Sequence, residues 1–334
     1  MKGRDLVILG AVVLVAGFAV ADVIRSQGSG PKVPTEPDRS RTSTESVVPL
    51  PDEGLGRTRM PPIRGAPGSI VLTQTADCPV REFQVAIGDE LPNIVPRSTC
   101  ELWAAPVTAK VAVGIGPVSG DSIPFRFVDL AHPQRNLGGY RARFGFVAWS
   151  PDGQRAAWCG RRGGGFDLEL GGAARRLPEC PAAYTPENEI AYAVGTDVVS
   201  DDRRLVRASA GVTLVRFGNE GSAAVVVEGR RIERYRGGRL VGQADLTGAL
   251  EGRTPAFSPD TCTAVVRDGE NLRLLDLGCS RRLPPVLPGF AATWSPDGRW
   301  LAVAGPQEIT FYDLFGRGEV GRWPIVAAQL AWRR

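Results

Sequence analysis

Between residues 69 and 334 the apolar residues fall in short runs separated by Gly- and Pro-marked turns, the pattern of brief β-strands. Three runs follow closely similar leaders. Ala148-Trp149-Ser150-Pro151-Asp152-Gly153 precedes Arg155–Cys159, and Ala256-Phe257-Ser258-Pro259-Asp260 precedes Cys262–Val266. Thr293-Trp294-Ser295-Pro296-Asp297-Gly298 precedes Trp300–Ala304. In the last two units a later strand ends in Asp276-Leu277 or Asp313-Leu314, at the same distance from the aromatic residue. Weaker copies keep the register: Tyr184-Thr185-Pro186-Glu187-Asn188 before Ile190–Val194, Phe217–Gly221 before Ala223–Val227, and Ala104-Ala105-Pro106 before Val111–Val113. Ala331-Trp332 repeats the aromatic position at the end of the chain. The anchors at 104, 149, 184, 217, 257, 294 and 332 recur every 33 to 45 residues.

In Ser-Pro-Asp-Gly, Pro presets φ for a type I turn, Asp bonds back to nearby backbone and Gly takes the left-handed position. Such a turn joins two antiparallel strands and sets their register. Four short strands recurring at about forty residues describe a β-propeller blade, whereas a β-sandwich lacks the longer period. The expected fold is therefore an all-β propeller. Val326–Trp332 reads as an innermost strand whose partners come from the other end, through Ile70–Thr73, Glu82–Ile87 and Ile94–Arg97. That closure gives seven blades and removes exposed edges. Six blades is the alternative, because the first part of the chain is weakly patterned.

These units resemble the propeller repeats of TolB-type proteins and their WD-repeat-like relatives, whose blades carry the aromatic-Ser-Pro-Asp-Gly turn. The resemblance covers residues 69–334, strongest at Trp149 and Trp294 and weakest at Ala104 and Phe217. It implies the fold and not a function, since such propellers host many roles. The chain departs from the TolB type in showing no N-terminal α/β domain, and from the related oligopeptidases in showing no peptidase domain after the propeller.

Ahead of the repeats, Lys2 and Arg4 precede the uncharged run Leu6–Ala21, followed by Asp22, Val23, Ile24 and Arg25. This length sits at the short end for a membrane-spanning helix, and the preceding basic residues favour a cytoplasmic N-terminus. The expected organisation is a cytoplasmic N-terminus (1–5), a transmembrane signal-anchor helix (6–24), a Pro/Gly/Ser-rich disordered linker (25–68) and the propeller (69–334). Ala19-Val20-Ala21 also fits a signal-peptide cleavage pattern, so secretion after Ala21 is the alternative. Both readings export the propeller.

The six cysteines among 334 residues agree with an oxidising compartment. Let the strands of a blade be A to D from the channel outward. Cys159 and Cys180 then lie on the face of the B–C and D–A loops, and Cys78 and Cys100 hold the same positions in the closing blade. Cys262 and Cys279 meet on the opposite face. The expected pairs are Cys78–Cys100, Cys159–Cys180 and Cys262–Cys279.

The search for chemistry narrows the function. A net charge of +4 does not announce a nucleic-acid partner. The single histidine, His132, sits in a turn, Ala131-His132-Pro133-Gln134, which disfavours His-based catalysis and multi-His metal sites. There is no Gly-x-Ser-x-Gly and no P-loop. Asp152, Asp260 and Asp297 fall in turns, and no inward-pointing carboxylate cluster can be assembled. No catalytic residue, metal or cofactor is therefore expected. The expected ligand face, on the B–C and D–A loops, bears Arg161, Arg162, Arg230, Arg231, Asp268 and Glu270. The stretch Arg230-Arg231-Ile232-Glu233-Arg234-Tyr235-Arg236 reads as a solvent-exposed strand, or as a positive patch for anionic envelope polymers or lipid headgroups. These readings point to a membrane-tethered extracytoplasmic module that binds a protein or cell-envelope component without catalysis. A lactonase-like hydrolase with a central calcium is the alternative.

Overall fold

The computed structural model describes residues 58–334 apart from 75–78, 96–100, 116–121, 133–135, 144–146, 161–163, 202, 247–253, 282–283, 285 and 317. Its repeating unit is built outward from the Ser-Pro-Asp turn. Ser150 N–H donates to Arg155 O and Gly153 N–H to Ser150 O, both at 2.9 Å. Asp152 Oδ1 accepts from Ser150 Oγ (2.6 Å) and Gln154 N–H (2.9 Å), while Ser150 Oγ accepts from Arg155 N–H (2.9 Å). The same bonds recur around Ser258 and Asp260, and around Ser295 and Asp297. Burial opposes ionisation of Asp152 and Asp260. The serine hydroxyl, the following N–H and a neighbouring arginine outweigh it, holding both carboxyls below their ordinary value.

The left-handed position of the turn is Gly153 (φ 66°), Gly298 (φ 71°) and, in the middle copy, Thr261 (φ 57°). A β-branched residue is rare in that region. Thr261 is fully buried, with its hydroxyl 2.9 Å from Ser222 Oγ and accepting from Arg234 Nε at 3.2 Å.

Seven four-stranded antiparallel sheets follow. Blade 1 joins Ala327–Arg333, Ser69–Gln74, Val80–Gln84 and Glu90–Val95 as strands A to D. Blade 2 runs Leu102–Ala104, Lys110–Gly114, Ser122–Asp129 and Asn136–Arg143. Blade 3 runs Val147–Trp149, Arg155–Cys159, Gly165–Glu169 and Ala174–Leu177. Blade 4 is Ala182–Tyr184, Ile190–Val194, Asp197–Ser200 and Arg203–Arg207. Blade 5 is Val212–Phe217, Ser222–Val227, Arg231–Arg236 and Arg239–Asp245. Blade 6 is Ala256–Phe257, Thr263–Asp268, Asn271–Asp276 and Val286–Pro288. Blade 7 is Ala291–Trp294, Trp300–Ala304, Ile309–Asp313 and Gly318–Trp323.

The seven-bladed, end-closed ring read from the repeat is thus the observed fold. The seam pairs Ile70 with Trp332 and Leu72 with Leu330. Two strands of blade 1 start and stop earlier than the sequence pattern indicates. Gln84 ends its strand, and Ile87 lies 45% exposed in the C–D turn. Gly88 there has φ 76°, and a Cβ on it would strike Met60 O.

The repeat's aromatic residue links blade to blade. Trp149 Nε1 donates to Trp103 O and Trp294 Nε1 to Ala256 O, each 3.0 Å away on the preceding blade's A strand. In the weaker copy Tyr184 OH donates to Asp167 Oδ1 at 2.6 Å. Between blades, apolar clusters fill the gap. The one joining blades 2 and 3 is aromatic, gathering Phe125, Phe127, Tyr140, Trp149 and Trp158.

Residues 58–68 lie within the stretch read above as linker, yet they pack on the ring. Met60, Ile63 and Ala66 are buried among blades 7 and 1. Met60 N–H donates to Gly88 O (2.8 Å), Ile63 N–H to Val85 O (3.0 Å), and Trp323 Nε1 to Pro61 O (2.7 Å). Three hydrophobic residues scattered among prolines carry no periodicity, so composition alone places them in a linker.

Two disulfides form as the strand map requires. Cys159–Cys180 ties the B strand of blade 3 to the start of blade 4, with Cα atoms 5.8 Å apart. Cys262–Cys279 lies within blade 6 on the opposite face, with Cα atoms 5.6 Å apart. Cys78 and Cys100 fall outside the described residues, as does the 6–24 segment. No helix among the described residues is long and apolar enough to cross a membrane. Replacing Cys159 and Cys180 together by serine should lower stability by about 3 kcal/mol, the loop-closure value for this separation. Chemical denaturation of the two proteins measures it, and equal midpoints would show that the inter-blade bridge does not constrain the unfolded chain.

Candidate functional site

The expected ligand face is partly assembled by the ring. Arg230 stands exposed in the B–C turn of blade 5, and Arg231 opens the following strand. Asp268 and Glu270 are exposed at the B–C turn of blade 6. Adjacent blades thus bring these four residues to one face, the same face that carries Cys159–Cys180. Arg231 is paired with Asp245 at 2.9 Å. Arg161 and Arg162 lie outside the described residues.

The basic stretch 230–236 is not a solvent-exposed strand. It forms the C strand of blade 5, flanked by strands on both sides, with Glu233 and Arg234 buried at 1% and 7% exposure. Burial alone would raise the Glu233 pKa. Ser209 and Tyr235, with the Arg231 charge, hold it below the usual carboxylate value instead. Ser209 N–H donates to it at 3.1 Å and Tyr235 OH at 2.7 Å. The same burial and bond push the Tyr235 phenol up. Alternating charge marks an exposed strand only when one sheet face meets water, and here both faces are covered by neighbouring blades.

The repeat-turn residues serve the scaffold on the opposite, A–B and C–D, face. Arg299, just after the Trp294 turn, forks onto buried Asp313 at 2.8 and 3.2 Å. Asp276 instead caps the turn after its strand, accepting from Cys279 N–H (3.2 Å) and Ser280 N–H (3.0 Å). Asp260 pairs with Arg281, whose guanidinium also lies 5.4 Å from the centre of the exposed Phe315 ring. On this face a cavity of about 350 Å³ opens between blades 4 and 5, lined by Arg203, Arg204, Phe217 and Tyr235 among others. The sequence reading missed it, because its walls come from turns that only the ring brings together.

His132 sits in the turn after a strand, as read, with its side chain 74% exposed and Nδ1 3.4 Å from Asp129 Oδ2. Among the described residues no three His, Cys, Asp or Glu side chains converge as a metal-binding group.

No family model and no curated protein matches this chain. Among solved structures it is similar to the hydrazine synthase of Kuenenia stuttgartiensis, at 15% identity and TM-score 0.46, covering 69% of this chain and 88% of that one. It is also similar to the dihydro-heme d1 dehydrogenase NirN in complex with DHE, at 15% identity and TM-score 0.49, over 89% and 82% of the two chains. A third is the Cps50 (Swd1) β-propeller domain of Myceliophteria thermophila, at 12% identity and TM-score 0.42, over 68% and 88%. Likenesses this remote carry no argument about activity. The class defined by the chain's own geometry is a disulfide-bonded, seven-bladed β-propeller closed by its two ends.

Proposed function

We propose that this chain is a membrane-tethered, extracytoplasmic propeller of the TolB or WD-repeat-like kind. In this reading it binds a protein or cell-envelope component without catalysis. The observation that carries it is the B–C face of blades 5 and 6, where Arg230, Asp268 and Glu270 stand exposed and, among the described residues, enter no ion pair. Charged loop residues left free on a rigid ring are what a polar protein partner can pair with. Export is supported by the disulfides, which persist in oxidising compartments. Tethering is supported by the uncharged run Leu6–Ala21 and by the basic residues ahead of it.

Crosslinking in intact cells, comparing the parent with an Arg230→Glu, Asp268→Arg, Glu270→Arg variant, tests the reading. A defined envelope component should crosslink to the parent at least tenfold more than to the variant. Equal crosslinking would remove this face from the proposal. Stoichiometric calcium retained by the purified protein, together with lactone hydrolysis, would replace it by the hydrolase reading.

A further inference from the structure

The seven innermost strands present a nearly uncharged wall, rich in alanine, valine and aromatic residues. They carry two charged side chains, Arg216 and Arg333. Arg333 is neutralised within blade 1, where its Nε donates to the fully buried Glu82 at 2.6 Å.

Arg216 has no such partner. It lies one residue before the end of Val212–Phe217, ahead of the A–B turn of blade 5, and it is solvent-exposed. Among the described residues it forms no ion pair and no side-chain hydrogen bond. Its cross-strand neighbour is Ala224, and beyond Ala224 lies Arg234. Arg234 is satisfied by the next blade, donating to Thr261 Oγ1 (3.2 Å) and Asp260 O (3.4 Å). The inner end of the same row is left with an unpaired guanidinium. The surrounding protein lowers the Arg216 pKa by desolvation, with no carboxylate offsetting it. An exposed side chain on an innermost strand meets solvent in the central channel or at its mouth. That position accounts for both its access to water and its crowding by the ring.

We propose that Arg216 anchors an oxyanion site at the A–B mouth of the central channel, taking one phosphate or carboxylate group of a small ligand. The planar guanidinium offers a forked pair of donors that matches either group, and the anion supplies the counter-charge that the wall lacks. The site goes beyond the binding face proposed above, which lies at the other end of the channel.

Titration calorimetry of the detergent-solubilised full chain tests the site, with inorganic phosphate and succinate as separate probes. At least one probe should bind saturably near one per chain, and which one does so identifies the group. Arg216→Ala and Arg216→Gln should each weaken that binding tenfold or more while keeping the parent thermal midpoint. Arg176→Ala, on the exposed D strand of blade 3, should change it less than twofold. Absence of saturable binding by both probes overturns the proposal, as does binding that Arg216→Ala leaves unchanged. Lost binding with a lowered thermal midpoint in both Arg216 variants also overturns it, because the residue's role is then structural.

Discussion

Asp167→Ala should cost about 3 kcal/mol of stability, among the largest effects of any single polar substitution in the ring. Asp167 lies on the C strand of blade 3 at 4% exposure and gathers donors from three directions. Arg155 pairs with Oδ2 from the adjacent strand, Arg175 reaches the same oxygen at 3.1 Å, and Tyr184 OH donates to Oδ1 across the blade boundary. Burial, with the bond to the carboxylate, raises the Tyr184 pKa and keeps the phenol a donor. Removing the carboxylate strands the buried phenol and leaves Arg155 without its counter-charge. Arg175 is 63% exposed on its side chain, so Arg175→Ala should cost under about 1 kcal/mol. Asp167→Asn keeps an acceptor for Tyr184 and should fall between. Thermal and urea denaturation of the three variants gives the order. A cost for Asp167→Ala no greater than that for Arg175→Ala would mean that the cluster does not couple blades 3 and 4.

The second large effect is expected at Trp158. Its ring is 2% exposed and contacts rings from two blades: Tyr140 at 4.7 Å and Phe125 at 5.5 Å in blade 2, and Phe166 at 5.5 Å in blade 3. Trp158→Ala removes a large buried surface and leaves a cavity that rigid sheets on either side cannot close, at a cost of about 3–5 kcal/mol. Trp158→Phe retains part of the contact and should cost less. The same substitution should weaken the near-ultraviolet circular dichroism, because the coupled rings lose their central member. Retention of the parent spectrum and midpoint in Trp158→Ala would show that the inter-blade cluster is not tightly packed.

What could be read ahead of the structure was whatever repeats locally. Ser150 and Asp152 carry their turn in their own side-chain bonds and Gly153 closes it through its backbone, so six residues suffice to recognise it, and three copies give the period. The pairs Cys159–Cys180 and Cys262–Cys279 followed because the repeat places each pair on one face within about twenty residues of chain. Long-range pairings were not legible. Glu82 meets Arg333 across 251 residues, and Pro61 meets Trp323 across 262. No local pattern announces such partners; ring closure makes them neighbours. The Arg231–Arg236 strand misled for a related reason, since Glu233 and Arg234 pair inward with Ser209, Thr261 and Asp260 O from other strands and turns, while Arg231 and Arg236 pair at the surface. For Arg230, Arg231, Asp268 and Glu270 the position in the blades was legible and the state of each charge was not: nothing in the sequence distinguishes the paired Arg231 from the free Arg230.

The docked 58–68 segment has a mechanical consequence. Thr58 sits beside the C–D turn of blade 1, where its N–H donates to Glu90 Oε2 at 3.0 Å. A pull from that side loads the Met60 and Ile63 bonds and the wedge of side chains between blades 7 and 1. The seam between Ser69–Gln74 and Ala327–Arg333 is loaded only after these give way. The segment thus acts as the strain relief of a cable, taking up load before the joint that closes the ring.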